Sequence, residues 1–186
     1  MNNRTVPSLL LNMEEESQWY AMRFLYNDQP KIRRRLDLAG IETYSPMRTV
    51  VEERNGRKIR RTEPIIFDLI FVHGTRSQID PYVRSSPNFQ YRYMRGGKYR
   101  EPMIVPSDQM RVFMEAVRQT DHPIYFTPDE IDVSRGTRIR IIGGPLDGYE
   151  GIFMKVKGAR SRRLVVELPD TIAVAVEIMP DFIEVL

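Results

Sequence analysis

The chain of 186 residues contains no cysteine, which excludes a disulfide framework and any thiolate metal site and suits a reducing compartment, the cytoplasm. It has two histidines, His73 and His122, and neither has a Cys, an Asp or a second His at metal-ligand spacing. No apolar run approaches the ~18 residues of a membrane span. The Leu9-Leu10-Leu11 triplet is too short for a secretory core and is followed by Glu14-Glu15-Glu16, so residues 1–17 read as a poorly ordered tail. There is no G-x-S-x-G, no Walker sequence and no dinucleotide fingerprint, and Arg95-Gly96-Gly97-Lys98 lacks the Ser/Thr that completes a P-loop. These absences describe a protein that binds rather than catalyses and that needs no cofactor.

What the chain does have is unevenly placed charge. Residues 18–120 hold 19 Lys/Arg against 11 Asp/Glu, residues 121–132 hold none against 4, and residues 133–186 hold 8 against 7. A basic first segment beside a nearly neutral last one points the first toward polyanions, nucleic acid above all.

Periodicity divides the chain at the same places. Gln18 to Phe24 reads as a strand with apolar residues on both faces. Asn27-Asp28-Gln29-Pro30 is a helix start, Ile32, Leu36 and Ala39 share a face, and Gly40 ends the helix. Glu42 to Arg54 and Arg57 to Glu63 are extended stretches joined by Asn55-Gly56, the pair that a type I′ hairpin turn favours. Ile65 to Val72 is nearly all apolar and predicts a buried strand. A loop region follows around Arg84 to Arg100, and then Ser107 opens a helix with Met110, Phe113, Met114 and Val117 on one stripe. The expected first domain, residues 18–120, is an α+β antiparallel sheet flanked by helices. Residues 121–132, with two prolines and four carboxylates, read as a linker. From Val133 to Leu186 only short strands alternate with Gly and Pro turns, which predicts a small all-β, SH3-like barrel.

Four basic clusters are candidate nucleic-acid contacts. The hairpin carries Arg54, Arg57, Lys58, Arg60 and Arg61. The first helix carries Lys31, Arg33, Arg34 and Arg35. The loop interleaves Tyr91, Tyr93 and Tyr99 with Arg92, Arg95, Lys98 and Arg100, and rings alternating with cations can stack bases and neutralise phosphates. The fourth is Lys155 to Arg163. Each also fits an ordinary solvated face.

The stretch from Val133 to Ile152 resembles a KOW motif. Its carriers are Gly136, Gly144, Pro145, Gly148, Tyr149 and Gly151, spaced as strand, corner, turn and bent second strand. Upstream, Trp19-Tyr20 opening a strand, Tyr44-Ser45-Pro46 before a charged hairpin, Glu63-Pro64, and Tyr82 to Pro87 before Gly96-Gly97 are similar to the NusG N-terminal domain in order and spacing. The resemblance runs from Gln18 to Leu186 and implies a transcription elongation or antitermination factor. In that family the N-terminal domain binds the clamp helices of RNA polymerase and raises processivity, and the barrel recruits other factors. It implies an apolar polymerase-binding pocket at Trp19, Tyr20, Ile66, Phe67 and Leu69. Nucleic-acid contacts to upstream or non-template DNA fall to Arg57, Lys58, Arg60, Arg61, Tyr91, Arg92 and Arg95.

Two departures mark this sequence. Ile66-Phe67-Asp68-Leu69 stands where the family has F-P-G-Y, and Leu168-Pro169-Asp170-Thr171-Ile172 replaces S-I-F-G-R, the segment that meets Rho and a small-subunit ribosomal protein. Together they resemble the operon-specific antiterminators of polysaccharide biosynthesis. The rival expectation is a KOW-containing RNA-binding protein of the ribosome or translation, against which the near-neutral last segment weighs.

Overall fold

Strand β1 (Gln18–Phe24) is apolar on both faces because it runs through the middle of a sheet. The computed structural model describes residues 15–25, 29–94, 96–120, 122–178 and 183–186; the Asn27-Asp28 signal, Arg95 and Phe182 lie outside the described residues. Helix α1 (Gln29–Leu38) follows β1, then β2 (Glu42–Tyr44), β3 (Met47–Arg54), β4 (Arg57–Pro64), β5 (Leu69–Gly74), helix α2 (Arg76–Ser85), β6 (Phe89–Tyr91) and β7 (Ile104–Val105). The first sheet is antiparallel in the order β2-β5-β1-β6, with β7 also pairing β1. Side chains alternate across it. Tyr20, Met22 and Phe24 face α1 and α2 with Ile32, Leu36, Ile70, Val72 and Ile79, while Trp19, Ala21, Leu69 and Phe71 face the other way.

Three details depart from the sequence reading. Ser45-Pro46 breaks the expected single extension into β2 and β3. Residues 65–68 form a turn rather than strand, closed by the Leu69 amide donating to the Ile66 carbonyl at 3.2 Å, so the buried strand starts at Leu69. Helix α2 is an addition. Pro81 lies inside it, which hides the helical pattern, yet Thr75 and Gln78 form a reciprocal capping box. Glu15, expected in a loose tail, completes that cap: its carboxylate accepts from the Arg76 and Ser77 amides at 2.9 and 3.1 Å. Hydrogen bonds from Ser77 hold this carboxyl below its usual range.

Helix α3 (Ser107–Arg118) has Pro106 as its cap, with Ser107 already in the first turn. It buries Met110, Val112, Phe113 and Ala116, and Met114 and Val117 are half-buried. That apolar surface is broader than one stripe because α3 lies between two sheets. The second sheet contains β8 (Ile124–Phe126), β9 (Thr137–Ile141), β10 (Glu150–Lys155), β11 (Arg162–Leu168), β12 (Ile172–Val176) and β13 (Ile183–Val185). Its order is β13-β9-β10-β11-β12-β8, all antiparallel. The stretch expected as a linker therefore supplies a strand, because Ile124, Tyr125 and Phe126 alternate suitably against β12. The pairings form an open path whose two ends, β13 and β8, do not join among the described residues.

The last segment shares its core with the first. Leu164, Val166, Leu168, Ile172, Val174 and Val176 belong to the same buried cluster as Trp19, Phe71, Met110 and Phe113. The Thr171 hydroxyl contacts Met103 Sδ at 3.2 Å across the junction. The other face of β11 and β12 packs Val165, Ala173 and Ala175 on Phe126 and Val156.

Candidate functional site

The five apolar residues expected to form one pocket do not converge. Trp19 is 5% exposed and stacks on His73 with ring centroids 5.0 Å apart, and Leu69, opposite Arg23 at the other end of the strand pair, is fully buried. Tyr20 points through the opposite face of β1, where its ring meets Tyr91 edge-on. Strand alternation separates neighbours in sequence, so Trp19 and Tyr20 cannot line one cavity. The residues that remain reachable are Ile66, half-buried against the shared core, and Phe67, 64% exposed on the turn between β4 and β5. Solvent-exposed Phe67 is set by that turn: the Ile65 amide donates to Pro46 at 2.9 Å, and Asp68 Oδ1 accepts from Arg92 at 2.8 Å.

The hairpin forms as its sequence demands. Asn55 and Gly56 have φ of 54° and 72°, as a type I′ turn requires. β3 and β4 pair only with each other, from Met47↔Pro64 to Arg54↔Arg57. The register puts Arg48, Glu63, Arg61 and Glu52 on one face. Glu63, the one buried residue of the ribbon, accepts from Arg48 at 2.7 Å and Arg61 at 2.8 Å, and Arg61 also reaches Glu52 at 3.0 Å. The bonds from Arg48 and the two guanidinium charges hold the Glu63 carboxyl below its usual range. Arg61 is therefore a strut of the ribbon. Arg54, Arg57, Lys58 and Arg60 form no ion pair among the described residues and are exposed.

The Tyr/Arg loop is rearranged relative to expectation. Tyr91 is buried and donates to Asp80 at 2.9 Å; burial first, then that bond, push its hydroxyl pKa up. Its ring is not free to stack on a base. Arg92 is tied to Asp68, with Nε buried and unpartnered. The exposed rings are Tyr93 and Tyr99, the latter 88% exposed with Arg100 lying 5.2 Å over it. Burial falls on alternate residues of β6 (Phe89 and Tyr91) and extends no further, a period-2 signal that the run of tyrosines through the loop obscured.

A cleft of about 520 Å³ lies beside this loop, where the two sheets meet. Arg23 and Arg92 line it from the first sheet, and Asp129 and Asp170 from the second. With Asp68 also present, two guanidinium groups face three carboxylates, so the cleft is net negative and makes no anion cradle.

In the second sheet the glycine positions have steric reasons. A Cβ at Gly136 would lie 2.0 Å from Ile152 Cγ2, and one at Gly151 would lie 2.7 Å from Leu164 Cδ1 and 2.9 Å from the Tyr149 ring. Gly144 and Gly148 have φ of 73° and 75°, on either side of the Pro145-Leu146-Asp147 turn. Burial pushes the Tyr149 hydroxyl up to about 12. The cations of this sheet are largely consumed internally. Arg140 binds Glu150 at 2.7 Å and Glu184 at 3.0 Å, and buried Arg163 reaches the His122 carbonyl at 3.3 Å. Lys155 donates to the Arg160 carbonyl within the fourth basic cluster.

A family profile described as "Transcription termination factor nusG" matches residues 17–114, just over half of the chain. The chain belongs to the NusG family. The matched span takes in the whole first sheet, α1, α2, the ribbon and most of α3, and it ends before the second sheet. NusG-family proteins are non-enzymatic transcription elongation and antitermination factors, which agrees with the binding character read from the sequence. No curated protein matches the chain. Among the described residues no group of three or more His, Asp or Glu side chains is arranged to hold a metal ion, and no helix is long and apolar enough to cross a membrane.

Proposed function

We propose that this chain is a specialised NusG-type antitermination factor that binds RNA polymerase and serves particular operons. The observation that carries the specialised reading is the fate of residues 168–172. Where the family resemblance has a partner-binding S-I-F-G-R segment, Leu168, Thr171 and Ile172 are buried in the shared core, and Asp170 turns the chain with φ of 55°. A surface occupied in this way is unavailable to Rho or to a ribosomal protein. The second sheet, read as a KOW module on Gly136, Gly144, Pro145, Gly148, Tyr149 and Gly151, then serves chiefly to brace α3.

Polymerase contact falls to the exposed Phe67 with Ile66 beside it, while buried Leu69 anchors the turn where β5 begins. Burying most of one Phe side chain contributes about 2 kcal/mol before association costs. Nucleic acid meets Arg57, Lys58 and Arg60 on the ribbon, and Tyr93, Tyr99 and Arg100 on the loop, with stacking and phosphate neutralisation combined. Phe67→Ala, at a position where folding loses little, is expected to release the chain from core polymerase in a pull-down. Undiminished retention would reject Phe67 as the grip. Mapping polymerase occupancy along the genome with and without the chain tests operon specificity, and an equal effect on every gene would sink it.

A further inference from the structure

The cleft of about 520 Å³ where the two sheets meet is lined by charged groups whose bonding is incomplete. From the first sheet, Arg92 spends one guanidinium nitrogen on Asp68 at 2.8 Å, and its buried Nε has no acceptor. Arg23 donates to Gln90 Oε1 at 2.8 Å and meets no carboxylate among the described residues. From the second sheet, Asp170 stands in the β11–β12 turn with φ of 55°, and Asp129 in the short turn Pro128–Glu130 that follows β8. Both aspartates are exposed, and neither has a hydrogen bond or an ion pair among the described residues. Their acidic neighbours are engaged: Glu130 accepts from the Thr127 amide at 2.8 Å, and Asp132 pairs with Arg135 at 3.0 Å.

These groups define the charge of a ligand. A phosphate is repelled by a cleft that is net negative. A bare polyamine leaves the Arg92 donor unmet and faces two guanidinium groups. A neutral amino acid, with one cation, answers only one of the two free aspartates. One carboxylate and two cations on a single molecule match the cleft group for group. Ile66, Met103 and the Tyr93 ring line the same cleft and offer apolar surface to an aliphatic stem. A guanidinium on that stem meets a carboxylate through two parallel hydrogen bonds, which an ammonium does not. The volume lies within the ~300–1,000 Å³ of small-molecule sites.

We propose that this cleft binds a free cationic amino acid of the arginine type. Its α-carboxylate is taken by Arg92 and Arg23, and its α-ammonium and side-chain guanidinium by Asp129 and Asp170. The site is complete only while the two sheets share their core, so the ligand stabilises that arrangement by mass action. Binding here does not depend on whether the chain engages polymerase.

The full chain is titrated with L-arginine by calorimetry, and its thermal midpoint is followed with and without the amino acid. One-site binding and a raised midpoint are expected. Three probes each remove one charged group: agmatine the carboxylate, citrulline the side-chain charge, and N-acetyl-L-arginine the α-ammonium, as in the C-terminal residue of a peptide. Each should bind about tenfold or more weaker, the loss of one charge-assisted hydrogen bond. Asp170→Asn and Asp129→Asn should each weaken L-arginine by a similar factor. Asn accepts a left-handed φ, so the ligand-free midpoint of the Asp170 variant should stay in place. Phe67→Ala, at a residue that does not line the cleft, should bind L-arginine as the wild type does. Absence of binding at about 10 mM L-arginine, well above the millimolar range, overturns the site. Agmatine as tight as L-arginine overturns the role given to Arg92 and Arg23, and N-acetyl-L-arginine as tight overturns the free amino acid as the ligand. Wild-type affinity in both aspartate variants overturns the placement in this cleft.

Discussion

The sixteen residues of the β3–β4 ribbon bury Glu63 alone, whereas the twelve of α3 bury four side chains and touch sheets on both sides. The ribbon is held by its ladder, its turn and three charge-assisted contacts around Glu63, so most of its side chains are open to a partner. In α3 eight of the twelve side chains are buried or half-buried. The contrast separates two tasks: the proposed recognition surfaces stand on an element that contributes little to the core, and the core itself spans both halves of the chain.

The harshest way to break the comparison is to cut into the core from the second sheet and watch the first. Leu164→Ala should cost about 2–5 kcal/mol. Trp19, the single tryptophan, reports from the other sheet. Its fluorescence should show a lowered denaturant midpoint coincident with the far-UV circular dichroism transition; an unmoved tryptophan midpoint would mean that the halves unfold independently. A smaller loss, roughly 1–3 kcal/mol from overpacking, is expected for Gly136→Ala, whose methyl would meet Ile152. Thermal unfolding measures it, and Gly96→Ala, at a glycine with positive φ but open space, should cost less. The smallest global effect belongs to the ribbon. The depressed Glu63 pKa means that its ion pairs stabilise the ribbon fully above the ordinary carboxylate range. That contribution is lost as pH falls through the lower folded value. Acid titration by NMR should broaden or shift the amides of residues 48–63 while the Trp19 region keeps its pattern.

Much of the first sheet was legible in the sequence, because β1 and α3 carry strong periodic patterns and Asn55-Gly56 permits few other turns. What escaped depended on partners distant in sequence. Ile124 to Phe126 is too short to declare itself a strand until β12 lies beside it. Pro81 masked α2 although Thr75 and Gln78 announced its start. Glu15 looked like part of a solvated acidic run until the amides of Arg76 and Ser77 were seen facing it. The candidate sites were legible in composition and less so in direction. Arg57, Lys58 and Arg60 form no ion pair among the described residues, in keeping with an exposed hairpin, but Arg61 is spent on Glu52 and Glu63, and Tyr91 on Asp80. Whether a cation or ring is available is decided by the neighbour that folding brings to it, which residue type alone does not reveal.

Strand β8 sets a leash. From Arg118 at the end of α3 to Ile124 at the start of β8 the chain has five intervening residues, which span at most about 20 Å when drawn straight. While β8 stays zipped to β12, the second sheet can wander no further than that from α3. Anything it carries is then presented to whatever the first sheet has engaged at an effective concentration on the order of millimolar. For a sheet that shares its core with α3, the same short tether makes any undocking a brief excursion and redocking quick.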